Sequence, residues 1–189
     1  MKKLCLFLVL LYTLAAQPQW AGAHEVPDSV TYKTQISSES EPGVKLRIYG
    51  TVYENDGVAP AKDVIVYVYH TNVEGVYPKT GKERGNGKRH GYLRGWMKTN
   101  SDGKYEFMTI RPAPYETHGG EPAHIHYTIK PPNESEYWLS ALWFEDDERV
   151  TEKYRDSVKR SGGFNNIIKL TLNENGVLEG KRDIKLEKF

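Results

Sequence analysis

Val64-Ile65-Val66-Tyr67-Val68-Tyr69-His70-Thr71 decides the fold class. It is dominated by β-branched and aromatic residues, which pack well on a pleated surface, and it reads as the strongest strand of the chain. Upstream, Val44 to Tyr53 (VKLRIYGTVY) alternates apolar and polar residues and is turned by Asn55-Asp56-Gly57. Downstream, Gly95 to Thr99 and Lys104 to Ile110 flank Asn100-Ser101-Asp102-Gly103, a hairpin signal. His124 to Lys130 is a strand stopped by Pro131-Pro132, and Tyr137 to Phe144 is another. Phe164 to Leu172 and Val177 to Leu186 are expected to pair across Asn173-Glu174-Asn175-Gly176. Many short strands with regular turn signals predict a single all-β sandwich of mostly antiparallel strands. One charged surface helix is expected over Glu145 to Lys159. Pro78 to Arg94 reads as a long, polar, solvated loop, alternatively as a basic rim attracting anionic substrates. No internal repeat or low-complexity tract interrupts the pattern.

The first residues have a different character. Lys2 and Lys3 precede an apolar run from Leu4 to Ala16, and Ala21-Gly22-Ala23 offers a small-x-small cleavage pattern, with Ala15-Ala16 as a competing cut. Residues 1–23 are therefore expected to be a signal peptide, and 24–189 one domain of a secreted or periplasmic protein. Cleavage there leaves 24 Lys and Arg against 25 Asp and Glu, a formal charge of −1. A near-neutral chain gives no argument for nucleic acid or for an anionic membrane surface once the signal is removed. The only cysteine, Cys5, lies in the signal, so the mature chain would have neither disulfide nor thiol chemistry. A newly exposed N-terminal His24 could grip copper through its amine and imidazole, but such a residue is more often incidental.

The chemistry concentrates in Pro122-Ala123-His124-Ile125-His126. Side chains two apart on a strand share a face, so His124 and His126 make half a metal site. Just upstream, Arg111-Pro112-Ala113-Pro114-Tyr115 is a proline-set turn presenting a tyrosine, and Tyr77 ends the turn after the strong strand. Tyr77, Tyr115, His124 and His126 are the candidate ligands. A phenol, with an ordinary pKa of about 10, binds metal only where a strongly charged cation displaces its proton. Two phenolates and a hydroxide would balance Fe(III), whereas zinc prefers thiolate, imidazole and carboxylate. Any single tyrosine is more often packing than ligand. Tyr32, Tyr49, Tyr53, Tyr67, Tyr105 and Tyr127 are read as packing residues, and His90 and His118 as solvated loop residues, His118 being close enough to the site to support a ligand.

Taken together these stretches resemble the intradiol ring-cleavage dioxygenases, the family of catechol 1,2-dioxygenase and protocatechuate 3,4-dioxygenase, over about Leu46 to Leu186. Val68-Tyr69-His70-Thr71-Asn72 through Gly75-Val76-Tyr77 is similar to the family's Val-Trp-His-Ala-Asn-x-x-Gly-x-Tyr, with Tyr69 in the tryptophan position. Thr99 to Phe107 resembles its Thr-Asp-x-x-Gly-x-Tyr-x-Phe segment. Pro112 to Tyr115 and Pro122 to His126 resemble its second tyrosine and its two histidines. Trp143 to Asp147 and Arg182 to Leu186 resemble later segments. Two residues depart from the pattern: Glu121 stands where arginine is usual, and Trp96 where an arginine is common. A carboxylate at 121 would oppose negative charge developing on a bound catecholate. No counterpart of the helical N-terminal extension of the catechol-type dimers is expected within these 189 residues.

The resemblance implies a non-haem Fe(III) enzyme that inserts both atoms of O2 into a catechol, cleaving the ring between the two hydroxyls to a cis,cis-muconate. It implies that Tyr77, His124 and His126 stay bound, that Tyr115 is displaced by substrate, and that the departing ligands take up catechol protons, so both tyrosines carry catalytic roles. The implied partners are a small aromatic diol and O2, and the family commonly assembles into homo-oligomers. Two other readings share some of these features. Secreted transthyretin-like binding modules use similar strand and turn patterns without metal, and a cupin-like or zinc enzyme could use His124, His126 and a carboxylate such as Glu121.

Overall fold

The computed structural model describes residues 22–115, 120–157 and 162–188. The strands are β1 (Lys33–Gln35), β2 (Lys45–Tyr53), β3 (Ile65–His70), β4 (Arg94–Lys98), β5 (Lys104–Ile110), β6 (His124–Lys130), β7 (Tyr137–Phe144), β8 (Ile167–Ile168), β9 (Thr171–Leu172), β10 (Leu178–Lys181) and β11 (Ile184–Lys185). Two short helices, α1 (Gly87–His90) and α2 (Glu152–Ser157), and a 3-10 turn over Ala23–Glu25 complete the described elements. The first sheet runs β1-β5-β2-β10-β9, with β11 also on β2, and the second runs β4-β3-β6-β7-β8. This is the all-β sandwich expected from the strand pattern. Its long pairings, β2 with β5, β3 with β4, and β6 with β3 and β7, are antiparallel. Short parallel pairings of β1 with β5, β10 and β11 with β2, and β8 with β7 finish the edges.

The inner faces meet in one core. Leu46, Ile48 and Val52 of β2 and Tyr105 and Phe107 of β5 pack against Val66 and Val68 of β3, Met97 of β4, and Ile125, Tyr127 and Ile129 of β6. Burying each large aliphatic or aromatic side chain contributes about 1.5–3 kcal/mol. In β2 burial alternates residue by residue, whereas every residue of β3 is buried. Both strands are interior to their sheets, so the difference follows from what covers the outer face: that of β3 carries a second cluster of Ala23, Ile65, Tyr67 and Tyr69.

Several local expectations are corrected. The Asn100–Gly103 turn forms, with the Asn100 side-chain oxygen accepting from the Asp102 and Lys104 amides at 3.0 and 2.9 Å. The strands it joins do not form a hairpin. β4 pairs with β3 and β5 with β2, so the turn carries the chain from one sheet to the other and brings Met97 and Phe107 into the same core from opposite sheets. The segment Phe164 to Leu172 is likewise split between sheets: β8 lies on β7, and only β9 pairs antiparallel with β10. The helix expected over 145–159 is α2, which starts at Glu152, because Phe144 to Val150 is a run of turns with Asp147 and Val150 amides bonded to Phe144 and Asp147 carbonyls. Lys159, His118 and residues 1–21 of the expected signal lie outside the described residues. The Pro78 to Arg94 loop is partly ordered into α1, and His90 is buried rather than solvated. Tyr67, Tyr105 and Tyr127 are fully buried packing residues, while Tyr32, Tyr49 and Tyr53 are half-buried.

Candidate metal centre

The site lies on the outer face of the second sheet. Period-two alternation in β6 sends Ile125, Tyr127 and Ile129 into the core and turns His124 and His126 outward. Tyr77 arrives on the loop that follows β3. There the Asn72 side chain accepts the Glu74 and Val76 amides at 3.0 and 3.2 Å and closes the turn. Tyr115 arrives on the segment after β5. It is anchored by the Thr71 hydroxyl donating to the Ala113 carbonyl at 2.7 Å and by the Ala113 amide donating to the Asn72 carbonyl at 3.1 Å. Three segments distant in sequence, β6, the loop after β3 and the segment after β5, thus deliver the four residues singled out above to one place.

Their polar atoms converge. The two imidazole Nε2 atoms of His124 and His126 stand 3.0 Å apart. The Tyr115 oxygen is 2.9 Å from His126 Nε2 and 3.3 Å from His124 Nε2, and it also contacts the Tyr77 hydroxyl. Donors bound to one metal at about 2.0–2.1 Å, with right or tetrahedral angles between them, are separated by about 2.9–3.4 Å. The three spacings that involve an imidazole fall in that range. The protonation pattern agrees. His124 Nδ1 lies 2.7 Å from the Pro122 carbonyl, which can only accept, so Nδ1 carries the proton and the neutral ring turns a lone pair at Nε2 into the cluster. Burial, first of all, lowers the His124 and His126 pKa values and so keeps both rings neutral. Burial likewise raises Tyr77 and Tyr115, whose protons only a strongly charged cation would displace. This donor set, two neutral imidazoles and two phenols, fits a hard ferric ion.

The surroundings hold these groups. Asp147 accepts the Ala123 amide at 2.7 Å and so fixes the backbone entering His124. In β7 the register slips between the partners of Ile125 and Tyr127, leaving Ser140 and Ala141 opposite His126 as a bulge. Both bulge carbonyls are bonded: Arg182 donates to Ser140 and the Asn166 amide to Ala141, each at 2.6 Å. Val73, Glu74, Val76 and Arg149 share with Tyr115 the walls of an open cavity of about 600 Å3. Glu121 is exposed, and its charge contributes to the raised pKa values of Tyr77 and Tyr115.

Two neighbours escape the sequence reading. Tyr69 pairs directly with His126 across β3 and β6, and its ring stacks on that imidazole at a centroid distance of 4.5 Å. His90 stacks on the opposite side of Tyr69 at 3.7 Å, with 4° between the planes. The alternation of Tyr67 and Tyr69 in β3 carries a signal for a shared aromatic face. Nothing local marks His90. Trp96, the second departure, donates its indole N–H to the Gly22 carbonyl at 2.7 Å and packs on Tyr67.

Fold and site together define a β-sandwich protein with a two-tyrosine, two-histidine centre on one outer sheet face. The family profile described as Dioxygenase matches residues 17–176. The chain belongs to the intradiol ring-cleavage dioxygenase family. Catechol 1,2-dioxygenase 1 of Acinetobacter lwoffii is 32% identical over 127 residues, 59% of this chain and 39% of that protein. Chlorocatechol 1,2-dioxygenase of Cupriavidus pinatubonensis is 28% identical over 144 residues, 68% of this chain and 53% of that protein. The chain therefore spans about 39–53% of the length of these two relatives. Among solved structures, the dioxygenase domain of a dioxygenase–carbohydrate-binding protein fusion from Streptomyces sp. SirexAA-E shares the fold with a TM-score of 0.62 at 22% identity, covering 85% of this chain and 91% of that one. Catechol 1,2-dioxygenase from Acinetobacter sp. ADP1 superposes with a TM-score of 0.64 at 21% identity, covering 84% of this chain and 58% of that one.

Proposed function

We propose that this chain is an exported non-haem Fe(III) dioxygenase that cleaves a catechol between its two hydroxyls, using O2, to a cis,cis-muconate. The observation that carries the reading is the convergence of two imidazole nitrogens and two phenol oxygens within 3.3 Å of the Tyr115 hydroxyl or of each other. Tyr77, Tyr115, His124 and His126 would hold the ferric ion, which when bound makes a catecholate reactive toward O2. His124, fixed by Pro122 and by the Asp147-bound Ala123 amide, supplies a neutral ring that keeps its lone pair on the cluster. Tyr115 is the ligand that lines the open cavity, so its oxygen is the one placed to take a proton from an incoming diol. Tyr77 lies behind it, against Tyr69 and His126, and stays in place. The relatives named for catechol and chlorocatechol support an ortho-diol substrate. Among the described residues, no group of three or more His, Cys, Asp and Glu side chains is placed to hold a metal, which leaves a His/carboxylate zinc site without support.

The visible spectrum of the iron-loaded protein, before and after anaerobic addition of catechol, tests the reading. A broad tyrosinate-to-iron band that moves to longer wavelength with catechol supports it, and Tyr77→Phe and His126→Ala should each weaken iron retention and ring cleavage. A colourless protein that will not hold iron, or both variants retaining iron and turnover, would refute it. The N-terminal residue of the protein recovered outside the cytoplasm tests export.

A further inference from the structure

We infer that Tyr69 and His90 form a stacked buttress that positions the His126 ring, taking over a task usually done by a hydrogen bond to the second ring nitrogen. A ligating histidine is commonly oriented through its other N–H, as His124 is through Pro122. Among the described residues, the hydrogen-bonding contacts of His126, to Tyr115 and His124, go through Nε2, the atom in the cluster. What holds its ring plane is aromatic. Tyr69 covers one face at 4.5 Å and 12°, and the Trp138 edge stands at 6.3 Å and 85°.

Tyr69 is itself held on its far side. His90 stacks on it at 3.7 Å, and His90 Nδ1 is hydrogen-bonded to the Tyr67 hydroxyl at 2.7 Å. Tyr67 in turn is fixed under Trp96 and the Gly22 backbone, where even a methyl group on Gly22 would collide with its ring. The column His90–Tyr69–His126 is therefore continuous, with its rings nearly parallel, and backed by the N-terminal turn. Glu25 of that turn accepts the Asn86 amide at 2.9 Å and an Arg94 N–H at 3.2 Å, which ties the α1 segment carrying His90 to the same wall. Tyr69 also packs on Tyr77 at 5.6 Å, so one ring braces two of the four donors.

Tyr69 and His90 are positioning residues: neither has a polar atom in the donor cluster. The inference rests on reading that cluster as a metal site only for its effect on iron; the buttress itself is testable in the metal-free protein. The experiment is NMR of the His126 ring protons in the metal-free full chain, alongside iron dissociation into excess chelator and the ferric EPR and visible spectra. The comparison is among the parent, Tyr69→Phe, Tyr69→Leu and His90→Ala. In the parent and Tyr69→Phe, stacking keeps the His126 ring protons ring-current shifted, and Tyr69→Leu removes the shift. Tyr69→Leu should speed iron dissociation roughly 10–100-fold and alter the EPR line shape, Tyr69→Phe should leave both close to the parent, and His90→Ala should fall between. Unshifted ring protons in the parent would overturn the buttress, as would Tyr69→Leu with the parent's iron dissociation rate and EPR signal. A parent that shows the ring-current shift but takes up no iron would refute the proposed function while leaving the buttress standing.

Discussion

Gly91→Ala tests how the backbone sets Tyr77, one of the two candidate tyrosine ligands. Gly91 caps α1 with φ 69° and ψ −164°, a region open essentially only to glycine, and its amide donates to the Gly87 carbonyl at 2.9 Å. A side chain there costs about 1–3 kcal/mol from the backbone alone. There is also a collision. A Cβ at this position would lie 2.5 Å from the Pro78 carbonyl oxygen and 3.0 Å from the Tyr77 carbonyl carbon. Ordinary contact begins at 3.4 Å, so the Pro78 carbonyl must retreat by about 0.9 Å, the difference of the two distances. That carbonyl is not free to swing, because the Tyr92 amide bonds to it at 3.0 Å. The displacement passes into the 77–78 peptide and so to the Tyr77 ring. A misplacement near 1 Å can cost on the order of 100-fold in rate. Gly81→Ala is the matched control, since Gly81 has φ 84° but nothing within 4 Å of its would-be Cβ. Urea unfolding of the metal-free proteins should show a loss in both variants. The tyrosinate-to-iron band and ring cleavage should fall sharply only in Gly91→Ala. Equal stability losses with an unchanged band and unchanged ring cleavage in both would refute the contact argument.

Other parts of the site carry their own expectations. His70 and His90 are both pushed down to about 4, chiefly by burial. The unfolded chain therefore binds more protons below about pH 6.5, and the stability each neutral ring confers is present above that pH and lost as pH falls toward 4. The order of magnitude is about 3 kcal/mol per ring, discounted for the less buried His90, and denaturation midpoints of the metal-free protein from pH 7 to 4.5 should fall less steeply in His90→Gln. Asp147→Ala removes the acceptor of the Ala123 and Arg149 amides and should cost about 1–3 kcal/mol in urea unfolding, with faster iron loss because the Ala123 amide adjoins His124. Asn166→Ala strands the Ala141 carbonyl opposite His126. It should cost a similar amount and perturb the ferric EPR signal, whereas an unchanged signal would separate the bulge from ligand placement.

The four candidate donors that the structure brings together were legible in the sequence because each sits in a short motif whose geometry is local. His124-Ile125-His126 needs only strand periodicity to place two rings on one face, and Tyr77 and Tyr115 each end a turn set within a few residues. The strand inventory was legible for the same reason: β6 and β7 occur over the expected residues, and β2 and β3 nearly so. Pairing was not. Turn chemistry at Asn100–Gly103 is the same whether the chain reverses within a sheet or crosses between two. Only the long-range choice of β3 for β4, and of β2 for β5, decides it.

His90 shows the same limit at the site. Its immediate neighbours, Arg89 and Gly91, read as loop, and in a loop an imidazole is solvated by default. It is buried because Tyr69 and Tyr67 present an aromatic face on β3, and because Glu25 holds α1 down on it from the far end of the chain. The groups that would touch the metal are thus encoded in contiguous motifs, while those that hold them steady come from residues such as 22–25, 69, 90, 166 and 182 that meet only in the folded state. Substitutions in the second set should leave a recognisable family sequence and still change how firmly iron is held, which makes iron retention a sharper measure of this site than motif content.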